Sequence, residues 1–443
     1  MSRIDRREFL KLMSAAAAAG TVPWLSSCSN EAAAAALPKD FYTIPKRGNV
    51  RILHCTDFHG QLNPVFFREP NVNLGMGDAF GRPPHMVGKQ FLKEMGLKEN
   101  TPEAHAYTYL NFNKAAKQFG RMGGMAHMKT LADSLREQMG GRENTLMLDG
   151  GDLWQGSGTS LWTRGIDMVE ASNILGIDVM VGHWEFTYKE NEVLSNVALF
   201  KGDFIGQNVR VKEDSLMDDG YAKLVETYDG RGLYDEDTGH AFQPYVIREV
   251  GGARICVVGQ AFPRTANANP QEFFPDWSFG LREDDMIELV EAIREDEKPD
   301  AIVLLSHNGM DVDVKMAERV PGLNAVFGGH THDGVPKPLK VKNVEGHECL
   351  VTNAGSNGKF LGVMDFDIDG GKIKSMNYEM LPIFSEALPA DKELQAYIDQ
   401  MRNTKYDKNI VESRVKKMHY NKNRLGKTFK EILDEKLAIA DRT

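Results

Sequence analysis

The sequence predicts an α/β fold with largely buried strands. From residue 51 onward, short β-branched or apolar runs alternate with amphipathic helical ones. Five short motifs built from Asp, His and Gly each follow such a strand-like run, at the position where open α/β sheets bind ligands.

In chain order, the strand-like runs occupy 51–56, 145–148, 178–181, 204–206, 254–259, 301–305, 325–327, 348–352 and 361–367. Runs at 114–139, 166–175, 284–295, 312–319 and 391–401 carry apolar residues at helical spacing. The segment 60–113 breaks this rhythm. It is long, rich in Pro, Gly and Asn, and directly follows the first motif, so it reads as a lid or binding loop over the site. The stretch 403–423 is polar and basic without periodicity and reads as a linker. No internal repeat is present.

The 443 residues suffice for more than one core. Lys plus Arg is 53 against 63 Asp plus Glu, a formal charge of −10, which argues against nucleic acid as a partner. It leaves an anionic substrate open, because bound divalent cations reverse the local field. Of the four cysteines, Cys55 and Cys256 lie in apolar strand-like runs and read as buried thiols. No Cys-x-x-Cys spacing suggests a thiolate metal or redox site.

The first 36 residues read as an address rather than as fold. Arg6-Arg7 precedes a small-residue, weakly apolar stretch and resembles a twin-arginine export signal. The apolar run is too short for a stable membrane span. A periplasmic product is expected. The string ending at Cys28 weakly resembles a lipoprotein cleavage site, whereas the alanines at 32–36 offer ordinary cleavage.

The chemistry lies in Asp57-Phe58-His59, Gly151-Asp152, Gly182-His183-Trp184-Glu185, Ser306-His307-Asn308 and Gly329-His330-Thr331-His332. Each has a small residue nearby, which allows a sharp turn that exposes the next side chain. Asp57 with His59, and His330 with His332, fall on one side through the period of two. Carboxylates with neutral imidazoles suit a borderline divalent metal such as manganese, zinc or iron. Asp152 has two oxygens and could bridge two metals, which together clamp the attacking and leaving atoms of a displacement at phosphorus or sulfur. His54, His85, His105, His127 and His347 read as structural or surface residues.

In this order the motifs resemble those of the calcineurin-like metallophosphoesterases, and more closely their 5′-nucleotidase branch, over roughly residues 48–385. The resemblance implies a four-layer α/β/β/α sandwich over 47–385, an interdomain helix over 386–404, and the beginning of a truncated C-terminal substrate domain over 405–443. It implies that Asp57, His59, Asp152 and His332 hold one metal, and Asp152, His183, His307 and His330 the other. The third motif departs from the family pattern, Gly-Asn-His-Glu followed by Asp, in which His and Asp assist the leaving group. Here that pair is Trp184 and Thr187, and the ligand position is His183. An alkoxide leaving group gains roughly 10²–10⁴-fold from a general acid. A thiolate, with a pKa of about 8.5, or a more acidic persulfide does not need one.

This departure, with Phe67-Arg68-Glu69-Pro70-Asn71-Val72-Asn73, Asp149-Gly150-Gly151-Asp152-Leu153-Trp154, Gly182 to Tyr188, and Gly259-Gln260-Ala261-Phe262-Pro263, is similar to the SoxB family of bacterial thiosulfohydrolases. The resemblance implies two divalent ions, of which Mn2+ is the expected identity. It implies release of sulfate from a cysteine-bound thiosulfonate on a SoxYZ-type carrier by a metal-activated hydroxide. Asp57, His59, Asp152 and His183 would carry the reaction. Arg68, Trp184, Asn208 and Lys359 are candidate substrate contacts; for Arg68 the alternative is a surface arginine, and Trp184 with Trp154 could wall a narrow channel, with core packing as the alternative. The competing readings are a periplasmic 5′-nucleotidase or nucleotide-sugar hydrolase, and an inactive metal-binding homologue. The default oligomeric state is a monomer.

Overall fold

The structure, a computed structural model, describes residues 37–72, 75, 80–216, 219–226, 235, 237–406 and 425–434. The export signal and most of the 403–423 linker lie outside these residues. Strands β1 (Val50–Cys55), β2 (Thr145–Asp149), β3 (Val179–Met180), β4 (Asp203–Phe204), β5 (Val209–Val211), β6 (Tyr245–Val250), β7 (Ala253–Gln260), β8 (Trp277–Phe279), β9 (Ala301–Ser306), β10 (Ala325–Gly328), β11 (Leu339–Lys342), β12 (Glu348–Asn353), β13 (Phe360–Asp369) and β14 (Lys372–Pro382) form three sheets. Two are six-stranded, with orders β14-β13-β1-β2-β3-β4 and β11-β12-β10-β9-β7-β6, and the third pairs β5 with β8.

Side-chain alternation builds the layers. Val50 and Ile52 of β1 meet Ile255 and Val257 of β7 and Val303 and Leu305 of β9 in a core between the two large sheets. The intervening Leu53 and Cys55 point the other way, into a core with helices Met125–Met139, Ile166–Leu175, Glu190–Leu199 and Lys392–Arg402. Cys256 and Val258 likewise leave the central core for helices Glu283–Ala292 and Met310–Arg319. Strands buried on both faces read as continuous apolar runs, which is why the sequence exposes them. The result is the expected four-layer α/β/β/α sandwich.

Three expectations need correction. The run 114–139 is two helices, Phe112–Phe119 and Met125–Met139. Gly120, Gly123 and Gly124 separate them at φ values of 78°, 76° and 91°, a backbone that only glycine adopts freely. The segment 60–113 is not structureless: it contains helices Gly88–Met95 and Pro102–Tyr107, whose Phe91 and Tyr107 pack with Phe360 and Phe384. Strands β5, β6, β8, β11 and β14 lie outside the expected runs: each is a sheet edge, and β6, β11 and β14 turn polar residues to solvent.

One charged pair lies under the outer helices. Arg51 Nε donates to Asp365 Oδ1 at 2.6 Å and Nη2 to Oδ2 at 2.8 Å, with side chains 0% and 2% exposed. The same guanidinium donates to the Leu135 carbonyl at 3.3 Å, joining β1, β13 and the helix behind them. Asp365→Ala would strand a buried cation and is expected to cost about 3–5 kcal/mol, read from the urea unfolding midpoint. An unchanged midpoint would overturn this role.

Candidate metal centre

Parallel strands deliver the candidate ligands to one edge. β1, β2 and β3 run parallel, as do β9 and β10, and the five motifs leave their carboxyl ends. Asp57, His59, Asp152, His330 and His332 all take left-handed backbone, with φ of 54°, 51°, 56°, 73° and 58°. Such conformations cost of order 1–3 kcal/mol each in a non-glycine residue and persist only where the surroundings enforce them. The enforcement is visible. Asp57 N–H donates to Gly151 O at 2.9 Å, His59 N–H to Asp152 O at 2.7 Å, and Asn357 N–H to Asp57 O at 2.8 Å. The His330 N–H lies 3.0 and 3.2 Å from the two Asp57 carboxylate oxygens.

The side chains converge in two groups, Asp152 with His183, His307 and His330, and Asp57 with His59 and His332. Within each, donor atoms lie within 4.8 Å of one another, and each group can hold a metal ion. His307 Nε2 is 3.2 Å from Asp152 Oδ2 and 3.8 Å from Asp57 Oδ1. His59 Nε2 is 3.7 Å from Asp152 Oδ2 and 3.8 Å from Asp57 Oδ1. Asp152 therefore faces both groups. His59 and His332 bring their Nε2 atoms to 2.9 Å, close enough to share one proton or one cation.

The electrostatics suit a cation. Burial raises the carboxyl of Asp152, but His307, His183 and His59 outweigh it and hold the group below the usual carboxylate range. Asp57 is lowered in the same way: His307 and His332 outweigh burial. Among the described residues no lysine or arginine pairs with either carboxylate. Burial pushes His183 down to about 3 and His330 to about 4, so both are neutral imidazoles, the form that binds metal. Burial would lower His307 too, yet Asp152 and Asp57 carry it up to about 10. His307 Nδ1 donates to Gly150 O at 2.5 Å, leaving Nε2 toward the carboxylates. His183 Nδ1 has no hydrogen-bond partner among the described residues. The oxygen and nitrogen donor set fits a divalent ion.

Residues around this set fix it in place. Glu185 Oε1 accepts the N–H groups of Leu153 at 2.7 Å and Trp154 at 3.0 Å, and Oε2 accepts that of His183 at 2.8 Å. One buried carboxylate thus fastens the second motif loop to the third. Thr56 Oγ1 donates to Asp57 Oδ2 at 2.6 Å. The Phe262 ring stands 4.2 Å from His183 and 4.1 Å from His330, centroid to centroid. Glu185 and Phe262 lie inside the 182–188 and 259–263 strings, but only the fold reveals what they touch.

The candidate substrate contacts are dispersed. Trp184 is half-buried at the site, its N–H on Asp152 Oδ1 at 2.8 Å and its ring 4.7 Å from His183. The Thr187 hydroxyl donates back to the Trp184 carbonyl at 2.6 Å. Trp154 is fully buried against Phe200 and Phe204 and belongs to the core. The Asn208 amide is occupied by backbone: it donates to Ala261 O at 2.7 Å and Gly280 O at 2.9 Å and accepts from Ala261 N at 2.8 Å. Lys359 is buried, paired with Glu69, and 3.8 Å from the Phe67 ring centre. Arg68 is exposed and lines a surface groove with Tyr109 and Lys114.

Two consequences are measurable. Glu185→Ala removes no ligand, yet is expected to weaken metal affinity about 10–100-fold in titration calorimetry, as loss of an orienting partner does. Because His307 keeps its proton at neutral pH without metal, loading should release it. Calorimetry in buffers of different ionisation enthalpy should show proton release per loaded site, with affinity falling as pH falls.

No family model matches the chain. The UshA protein of Yersinia enterocolitica is 26% identical over 286 residues, 59% of this chain and 48% of that protein. Rat 5′-nucleotidase is 25% identical over 300 residues, 63% of this chain and 47% of that protein. The chain thus spans about half the length of the curated relatives it matches. Among solved structures, the sulfate thiohydrolase SoxB of Thermus thermophilus superimposes with a TM-score of 0.71 at 32% identity, covering 81% of this chain and 61% of that one. A 5′-nucleotidase precursor from Thermus thermophilus shares the fold, with a TM-score of 0.56 over 80% of this chain. In its sandwich and in the order of its motifs the chain is similar to these metallophosphoesterases of the 5′-nucleotidase type.

Proposed function

We propose that the chain is a two-metal hydrolase that releases sulfate from a cysteine-bound thiosulfonate on a SoxYZ-type carrier. Water oxygen bonds to the sulfonate sulfur and gives its protons up to solvent, the sulfur–sulfur bond breaks, and its electron pair leaves with the persulfide. The observation that carries this reading is the third motif. Where the family pattern has a leaving-group acid and its carboxylate, this chain has Trp184 and Thr187, and the Thr187 hydroxyl is spent on the Trp184 carbonyl. A persulfide departs as a stable anion without that acid. The likeness to the Thermus SoxB, at 32% identity, supports the same choice.

Two divalent ions, expected to be manganese, would supply Lewis acidity and lower the pKa of water at the site. The chain's own part is positional. Asp152 would bridge the ions, Asp57, His59 and His332 would complete one side, and His183, His307 and His330 the other. Trp184 walls the site beside His183, and Arg68 offers a guanidinium on the outer groove to a sulfonate or to the carrier. Lys359, by fixing Glu69 and Phe67, would shape the entrance. Arg6-Arg7 would direct the folded protein to the periplasm. Among the described residues no helix is long and apolar enough to cross a membrane.

A phosphoester reading has its own support in the 25–26% identity to UshA and rat 5′-nucleotidase. Manganese-loaded protein offered a thiosulfate-charged carrier should release sulfate, and offered AMP should release little phosphate. The reverse result would favour the nucleotidase. Asp152→Ala should empty both metal positions by elemental analysis. Loss of one ion only would refute the bridge.

A further inference from the structure

The two groups of candidate ligands differ in their access to solvent. Asp152, His183 and His307 are at most 1% exposed. The Phe262 ring covers His183 and His330, and the Trp184 ring lies beside His183. In the other group Asp57 is buried, but the His59 and His332 side chains are 22% and 44% exposed. A cleft of about 480 Å³ opens on that side, and of the seven candidate ligands only His332 lines it. One group is thus roofed by aromatic rings, and the other is open.

The roof is held in place by backbone contacts. Phe262 follows the end of β7, its N–H donates to Gly182 O at 3.2 Å, and its carbonyl accepts the Thr265 hydroxyl at 2.8 Å. Asn208 clasps the preceding Ala261 on both backbone groups, donating to its carbonyl at 2.7 Å and accepting its N–H at 2.8 Å. The asparagine expected to touch substrate therefore fixes the strand end that carries the roof. The covered group also holds three imidazoles against two in the open one. His183 supplies the third, at the position where the family pattern has asparagine. A chelator strips a bound cation by replacing its ligands one at a time. A histidine at the surface permits that replacement, and one beneath a hydrophobic cover resists it.

We propose that the two metal positions are unequal: Asp152, His183, His307 and His330, roofed by Phe262, retain their ion, and Asp57, His59 and His332 exchange theirs through the cleft. This rests on the two-metal hydrolase reading and extends it. Phe262 is a positioning residue, acting through the imidazoles it covers and not through contact with substrate. The covered position is emptied last, so scarce metal leaves the protein half-loaded. The supply of free divalent ion to the open position then governs whether the site is complete.

The test uses the full chain saturated with manganese, the bound ions being counted from the electron paramagnetic resonance signal of the free ion. The loaded protein is then mixed with excess EDTA, and the manganese still bound is measured by elemental analysis after timed desalting. Two phases of one ion each are expected, separated about tenfold or more in rate, because the shell around a metal site alters its hold about 10–100-fold. His332→Ala should remove the fast phase and keep the slow one, and His183→Ala should do the reverse. Phe262→Ala should speed the slow phase about tenfold. Its unchanged fast phase reports an intact site, and Phe262→Leu, which keeps an apolar cover, should restore most of the retention. Asn208→Ala should speed the slow phase by a smaller factor. Release of both ions in one phase, loss of the slow phase in His332→Ala, or a Phe262→Ala effect that is absent or equal on both phases overturns the proposal and leaves the hydrolase reading in place. Wild-type protein that binds fewer than two manganese ions at saturation overturns both.

Discussion

The structure is organised around two buried carboxylates that face each other with imidazoles instead of lysine or arginine for company. Asp57 and Asp152 come from neighbouring strands of one sheet, and His307 from the other sheet approaches both. Two like charges removed from water demand compensation. The imidazoles supply part of it, and each of the two groups can hold a metal ion. The strained backbone at five ligand positions, the Glu185 clamp and the Phe262 ring all serve to keep this charge arrangement in one geometry.

The legible part of this architecture was what burial writes into sequence. β1, β2, β7 and β9 are covered on both faces, so their residues are apolar almost throughout and stood out as runs. The ligand residues were legible because each follows such a run with glycine or another small residue nearby. Edge strands are half-wet, and the polar alternation of β14 resembles a loop until its partner β13 is known. The Gly120 to Gly124 break was present in the letters, but helical periodicity on both sides masked it.

Non-local side-chain partnerships were beyond reach. Nothing near Asn208 announces that its amide serves Ala261 and Gly280, and nothing near His85 announces Asp311, more than two hundred positions later. Trp154 and Trp184 are equally large and equally close to motifs, yet one is sealed in the core and the other stands at the metal centre. Residue type told what each could do, and only the packing of one layer on another decided which did.

The uneven spacing of the motifs follows from how the strands carry them. Between His59 and Asp152 the chain makes a long excursion with its own helices, while Asp152 and His183 are separated by a single crossover. The positions of the ligands depend on where strands end, not on the length of what joins them. The connecting segments are therefore free to lengthen, acquire helices or change their chemistry while the charged centre stays where it is. One unvarying set of grips can serve many different mouths.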